Sequence, residues 1–436
     1  MADRGKLDLV EGRPAAEAAA GETINVSNIG VQPHMRDGVP ERNLLVFWRW
    51  PADRLDETFA KIGQRLEIEQ ILYLHWTRER IVENFQRFYA MITGHAYQKY
   101  TEAGVAPFLF VLVRDRNPVY RYRIAAGSGF KKVNINSFDL KQELRRQGNT
   151  SLHATNDQRE FRRDLMYLVG QSADDYHPPK WDGDPSNIEE IHRDVVAAEG
   201  WESLRQVFSV LNEAVCYVVL RNFDRLPDEH VHGSHGDLDL LLSDEDALSR
   251  AASILDKDHR PTIRVGGRKV SFDLRSVEDF YYDPEWCRRI LENRVMVRGF
   301  YAPNAENHFF SLLFHGHVQK PVIARDYIPT LLDLSREIGL DWIGEDWLTS
   351  RHKAASLLKD WLKGNGYYVT RPTGCPQFNW SFARRLGDVP WLYRSRSMTR
   401  KVGDLMMRNP LLRPLIPHAR AARQLYRMAN KRLRRA

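Results

Sequence analysis

The stretch Val215–Leu242, VCYVVLRNFDRLPDEHVHGSHGDLDLLL, decides how the rest of the chain is read. Val215 to Leu220 is an apolar run of strand length, a polar loop with Gly233 and Gly236 follows, and a second strand opens on Asp237-Leu238-Asp239. Side chains alternate along a strand, so Asp237 and Asp239 point to the same side, close enough to share a divalent cation. Two like charges set that way repel unless a cation lies between them. A third carboxylate comes from another strand-like run, Arg268 to Ser276 (RKVSFDLRS), where Asp273 stands between Phe272 and Leu274. A DxD at a strand start also occurs as a solvated turn, but an unpaired carboxylate on a core strand is costly. Three carboxylates on neighbouring strands make an all-oxygen site suited to Mg²⁺ and phosphate chemistry.

The order of strand, Gly/Ser loop, Asp-Leu-Asp strand, helix and later Asp273 strand resembles the nucleotidyltransferase superfamily of DNA polymerase β type, over residues 190 to 320. The resemblance implies Mg²⁺-dependent transfer of a nucleotidyl or related phosphoryl group from a nucleoside triphosphate to an unidentified hydroxyl acceptor. Asp237 and Asp239 would bind the metal, Asp273 would bind metal or activate the hydroxyl, and Arg221, His232 and Ser234 would contact phosphate. Where the superfamily has Gly-Ser directly after the first strand, this chain has Arg221-Asn222, with Gly233-Ser234 later. The LicD and fukutin-like branch implies an alternative, transfer of a phospho-alcohol from a CDP-linked donor onto a glycan, as in envelope polysaccharide synthesis. A reading in a different class is a catalytically silent nucleotide-binding or nucleic-acid-binding scaffold. An enzyme requires the three aspartates within metal-sharing distance; a scaffold does not.

A chain of 436 residues, 43% hydrophobic and 11% aromatic, has the material for two packed domains and a tail. Cys216, Cys287 and Cys375 lie far apart with no CxxC or Cys/His ligand spacing, so neither a zinc nor a disulfide framework is expected, and a reducing cytoplasm fits. No run approaches the ~18 apolar residues of a membrane span. The net charge of +7 hides a segregation: residues 380–436 carry 15 Lys/Arg against 2 Asp/Glu, leaving 49 against 55, or −6, for the body. Charge separated in this way concerns a partner of the tail.

The fold class expected is α+β. A ferredoxin-like domain precedes a mixed sheet of nucleotidyltransferase type, followed by a helical cap and a basic C-terminal tail. The boundaries read as a lead-in over 1–40, a first domain over 41–171, a Pro/Gly/Asp linker over 172–187, a second domain over 188–300, the cap over 301–379 and the tail over 380–436. In the first domain, strands are predicted at 44–50, 70–76 and 107–113 and leading to His153. Helices are predicted at 53–66 and 78–92 and, briefly, after Asn117. This βαβ, βαβ order predicts helices on one face. After the linker, 188–215 reads as helical, Ser243 as the N-cap of a helix over 244–255, and 262–265 with 269–274 as a hairpin around Gly266-Gly267.

Leu152-His153-Ala154-Thr155-Asn156-Asp157, with Glu160 and Asp164 beyond it, resembles the active-site segment of nucleoside diphosphate kinases. That resemblance implies His153 as a phosphoryl-accepting nucleophile, Thr155 as the following hydroxyl and Asp164, eleven residues on, as the carboxylate holding the imidazole. Asn117 to Arg123 (NPVYRYR) is similar to the family's short helix ending in a phosphate-binding arginine, here Arg123, and Arg49 stands where the family has a lysine. A homo-oligomer is implied as well. The family's nucleotide-clasping loop is replaced by Gly127 to Thr150, which reads as partly helical. A working kinase, a nucleotide-binding module and a structural relic all remain open for this half.

An amphipathic helix is predicted over 304–320. Its His308, His315 and His317 are site candidates, although His315 and His317 cannot share a helical face as a metal pair. From His418 onward, Ala422, Leu425, Tyr426, Ala429 and Leu433 line one helical face and five Lys/Arg the other. Such a basic amphipathic stretch predicts a surface helix on anionic lipid at the inner membrane face, with nucleic acid as the competing partner.

Overall fold

Alternation in Leu44–Trp48 sets the layering of the N-terminal half. Leu44, Val46 and Trp48 enter one hydrophobic cluster, Leu45 and Phe47 another, and all five are buried. A strand buried on both sides needs cover on both sides. In the computed structural model, the residues described are 35–50, 52–105, 107–125, 129–146, 151–179, 181–184, 188–229, 237–255, 260–372 and 377–387.

The first half runs β1 (Glu41–Phe47), α1 (Leu55–Gly63), β2 (Glu67–His75), α2 (Ile81–Tyr89), α3 (Thr93–Ala103), β3 (Phe108–Asp115), β4 (Tyr120–Ala125), β5 (Gly129–Asn134), α4 (Ile135–Arg146), β6 (Leu152–Ala154), α5 (Gln158–Val169) and β7 (Glu189–His192). Its five-stranded sheet has the order β6-β1-β3-β2-β7, with every neighbour antiparallel except β7, which lies parallel to β2. Ile62 of α1 and Leu140 and Leu144 of α4 cover one face, while Phe85 of α2, Ala96 of α3 and Phe161 and Leu165 of α5 cover the other. The one-sided covering predicted from βαβ order is therefore corrected.

Two further expectations change. The segment after Asn117 is not a helix but the strand β4, paired with β5, because Tyr120, Tyr122 and Ile124 alternate with Arg121 and Arg123 at the strand period. Residues 188–203 are not helical: β7 completes the sheet, and helix begins only at α6 (Leu204–Ala214), where the Ser203 hydroxyl accepts the Gln206 N–H.

The second half continues with β8 (Tyr217–Val219), β9 (Asp237–Leu242), α7 (Glu245–Ile254), β10 (Thr262–Val265), β11 (Arg268–Ser276), α8 (Pro284–Glu292), β12 (Val295–Val297), β13 (Phe300–Ala302), α9 (Ala305–Phe314), α10 (Tyr327–Glu337), α11 (Glu345–Thr349), α12 (Arg351–Gly364) and α13 (Trp380–Leu386). Its main sheet has the order β10-β11-β9-β8, with β11 parallel to β9 and the other pairs antiparallel. Gly266 (φ 52°) and Gly267 (φ 80°) form the β10–β11 turn, where two successive positive φ angles exclude most other residues. The N-cap of α7 is Asp244 rather than Ser243, its carboxylate accepting the Ala247 N–H.

This second sheet lies between two cores. Leu238, Leu240 and Leu242 of β9 and Phe272 and Leu274 of β11 belong to the cluster that also holds Val46, Phe85 and Phe161 of the first half. Val218, Leu220 and Leu241 share a cluster with Trp286 of α8 and with Phe309, Leu313, Leu331 and Leu358 of the helical cap. The fold is thus mixed α+β with two mixed sheets, and the 172–187 boundary does not separate two cores. Among the described residues no helix is long and apolar enough to cross a membrane.

Candidate functional site

Alternation on β9 sends Leu238 and Leu240 to the shared core, and so turns Asp237 and Asp239 toward the helical cap. The parallel register sets Asp273 of β11 opposite Asp239, and Ser271 opposite Asp237. Asp239 and Asp273 are buried and Asp237 is exposed. The three share a face. The described groups whose ligand atoms all lie within 4.8 Å of one another are, however, His75/Glu190/His192 and His153/Glu160/Asp164, not these aspartates.

Arginines engage the two inner carboxylates. Arg221 Nη2 lies 2.7 Å from Asp239 Oδ1 and also donates to the Tyr281 hydroxyl at 2.7 Å. Arg275, two residues beyond Asp273 on the same face of β11, donates to Asp273 Oδ2 at 2.7 Å, with Arg260 at 3.7 Å. Both Arg221 and Arg275 lie against the Tyr281 ring, at 5.7 and 5.0 Å from its centroid. Burial raises the Asp239 carboxyl above its ordinary range; Arg221 opposes the rise and the neighbouring Asp273 charge adds to it. Burial works against the Arg221 charge as well, but Asp239 and Tyr281 hold the guanidinium firmly protonated. Arg221, predicted as a phosphate contact, is thus a buried partner of Asp239.

The network continues into the cap. Tyr281 Oη is 3.2 Å from His315 Nδ1, which lies 2.8 Å from Gln319 Oε1, and Gln319 Nε2 donates to the Tyr281 carbonyl at 2.7 Å. His315 to Gln319 form a π-helical turn where the predicted helix over 304–320 widens. That turn carries His315 to the site, while His317 bonds the Leu348 carbonyl at 2.7 Å and stacks on Phe382, a structural role. Burial and the Arg221 charge lower His308 to about 4, so its imidazole is uncharged near neutrality. Ser234 and His232 lie outside the described residues.

A second cluster surrounds His153. On β6, His153 is opposite Val46 of β1, and its Nε2 lies 2.7 Å from Oδ2 of the fully buried Asp164 on α5. Arg163 holds the other Asp164 oxygen at 2.6 and 2.8 Å. Phe88 and Tyr89 meet the His153 ring edge-on at 5.2 and 5.7 Å, leaving the residue 8% exposed. Glu160 accepts from Asn156 N and Nδ2, at 2.9 and 2.6 Å.

The expected phosphate contacts here are only partly assembled. Thr155 is wholly buried, its hydroxyl accepting the Leu44 N–H at 3.0 Å, so it pins β1 rather than facing a ligand. Arg123 lies on β4 and is bound to Asp139 at 2.9 and 3.1 Å. Arg49 is exposed just beyond β1. The sequence did not single out Lys141 and Arg145 of α4, which donate to the open-edge carbonyls of Ala154 and Leu152 on β6. Burial lowers the Lys141 ammonium to about 8. Arg275 was not singled out either, although its place two residues from Asp273 on one strand is a signal that could have found it. Tyr281 carried no signal, because its role depends on meeting Arg221 and His315, which stand 60 and 34 residues away in the chain. Comparison with known proteins finds no matching family model, no matching curated protein and no matching solved structure.

Proposed function

We propose that this chain transfers a nucleotidyl or related phosphoryl group at the face shared by β9 and β11, with Mg²⁺ as cofactor and a nucleoside triphosphate as donor. The observation that carries this reading is the parallel register that sets Asp239 against Asp273, with Asp237 on the same face. The donor set is entirely carboxylate oxygen, which suits Mg²⁺. Asp237, Asp239 and Asp273 share a face without lying within metal-sharing distance of one another here, so they would hold the ion only after their side chains turn together, away from Arg221 and Arg275. The ion would supply neutralisation of the donor's phosphate oxygens. Arg221 and Tyr281 fix the Asp239 carboxylate. Asp273, oriented by Arg275, is the carboxylate suited to take the acceptor's proton as its oxygen attacks the α-phosphorus and pyrophosphate leaves. The test is incubation of the full chain with Mg²⁺ and each labelled nucleoside triphosphate, read by mass spectrometry. Asp239→Asn and Asp273→Asn each lower turnover by at least ~10²-fold; unchanged turnover in both would overturn the assignment.

A second reading, phosphoryl transfer by the N-terminal half, rests on the His153–Asp164 hydrogen bond. The antiparallel order β6-β1-β3-β2 supports a ferredoxin-like arrangement here. With Nε2 bound to Asp164, Nδ1 is the nitrogen left to attack the γ-phosphorus of ATP, releasing ADP. Acid-labile, base-stable phosphate on His153, formed more slowly by Asp164→Ala, is the expected result. Nucleotide binding without phosphorylation would make this half a binding module.

A further inference from the structure

We propose that His75, Glu190 and His192 form a binding site for a first-row divalent cation of the zinc type at the edge of the N-terminal sheet. His75 ends β2 and His192 ends β7, and the parallel register sets the two opposite each other. Glu190 precedes His192 by two residues, so the strand period brings its side chain to the same face. The imidazoles stack with centroids 4.3 Å apart and planes 12° from parallel. Both Nε2 atoms lie near one oxygen, Glu190 Oε2: His192 Nε2 in a hydrogen bond at 3.3 Å, and His75 Nε2 at 3.4 Å without hydrogen-bond geometry. The three ligand atoms lie within 4.8 Å of one another, so small side-chain rotations bring them to the ~2.0–2.2 Å bonds of a bound ion.

A second, independent observation points to a ligand. His75 Nε2 is shielded from solvent and has no hydrogen-bond partner, a state that native buried nitrogens rarely keep unless an ion or water completes them. Two imidazoles and one carboxylate, with coordination positions left to solvent, suit zinc and its borderline neighbours rather than Mg²⁺ or Ca²⁺. The site also has a structural consequence. β7 is a four-residue edge strand with largely exposed side chains, paired only to β2. An ion held by both strands clips β7 to the sheet, just before the chain passes to α6. Cys/His spacing could not reveal this group, because its members come from opposite ends of the first half.

The test is calorimetric titration of untagged, EDTA-treated full chain with Zn²⁺, paired with the visible absorbance of the Co²⁺ complex. One equivalent is expected to bind, with a Co²⁺ ligand-field band. His192→Ala, whose side chain is exposed and not needed for packing, weakens Zn²⁺ affinity by at least ~10-fold and removes the band, and Glu190→Gln weakens it as well. Absence of saturable Zn²⁺ binding overturns the proposal. So does unaltered affinity in His192→Ala, which would locate the ion at other histidines.

Discussion

Glu41 illustrates what a single buried carboxyl does to this molecule. It accepts from Asn134 Nδ2 at 2.7 Å and from the Tyr120 hydroxyl at 2.8 Å, yet burial lifts it from 4.5 to about 7 despite these bonds. The folded state therefore keeps a proton that the unfolded chain releases from about pH 4.5 upward. Stability from this group is fully present below 4.5 and is lost as pH rises through 7, by roughly 2–3 kcal/mol. Denaturant titrations across that window should show the loss, and Glu41→Gln should flatten it. Arg221 presents the reverse case, a buried cation held by one carboxylate. Arg221→Ala is expected to cost about 3 kcal/mol in urea unfolding, because Asp239 is left buried without its counter-charge. The loss should be smaller at acid pH, where the raised Asp239 carboxyl can protonate.

Among the elements, α5 joins the two halves. Asp157 caps it, accepting the Glu160 N–H with one oxygen and binding Arg250 of α7 with the other. Asp244 caps α7 in the same way, and its charge acts on Arg159 of α5. Asp157→Ala should therefore cost about 3 kcal/mol, the cap plus an uncompensated buried Arg250, against about 1 kcal/mol for Asp244→Ala. Urea denaturation of both variants, and of Asp157→Ala with Arg250→Ala, separates the two contributions. The double variant should recover part of the loss. The β4–β5 hairpin shows a local pattern prevailing: Tyr120-Arg121-Tyr122-Arg123 alternates at the strand period, and a strand forms where the kinase resemblance implied a helix.

The whole molecule shares one core between its two sheets, since Val46, Phe161, Phe208, Leu240 and Phe272 belong to a single cluster. Heating should accordingly unfold both halves in one transition. Tryptophans placed apart, with Trp48 on the first sheet's side and Trp286 in α8 of the second half, make this measurable by fluorescence of Trp48→Phe and Trp286→Phe variants. Separate midpoints would show that the shared core does not couple the halves. Residues 388–436, which hold most of the basic tail, lie outside the described residues. Their removal should release the protein from anionic liposomes, with transfer chemistry on soluble substrates retained. Tight liposome binding by the shortened chain would locate the membrane surface elsewhere.

The sequence by itself determined the strands that alternate and the helices with one apolar stripe: β1, β2, β3, β9, β11, α1, α2 and α7 were legible within a few residues. It also put Asp237 and Asp239 on one side of one strand, because side-chain period is a local property, whereas the pairing of His153 with Asp164 was implied by the kinase resemblance and is present as a hydrogen bond. Tertiary structure alone decided which groups meet across distant elements. It gave Asp239 to Arg221 and Tyr281, tied Arg123 to Asp139, buried Thr155 against β1, and brought His75 beside His192. Those pairings follow from sheet order and from a core shared by both halves. No local periodicity encodes them, because each depends on which buried charge finds a partner once the layers have closed.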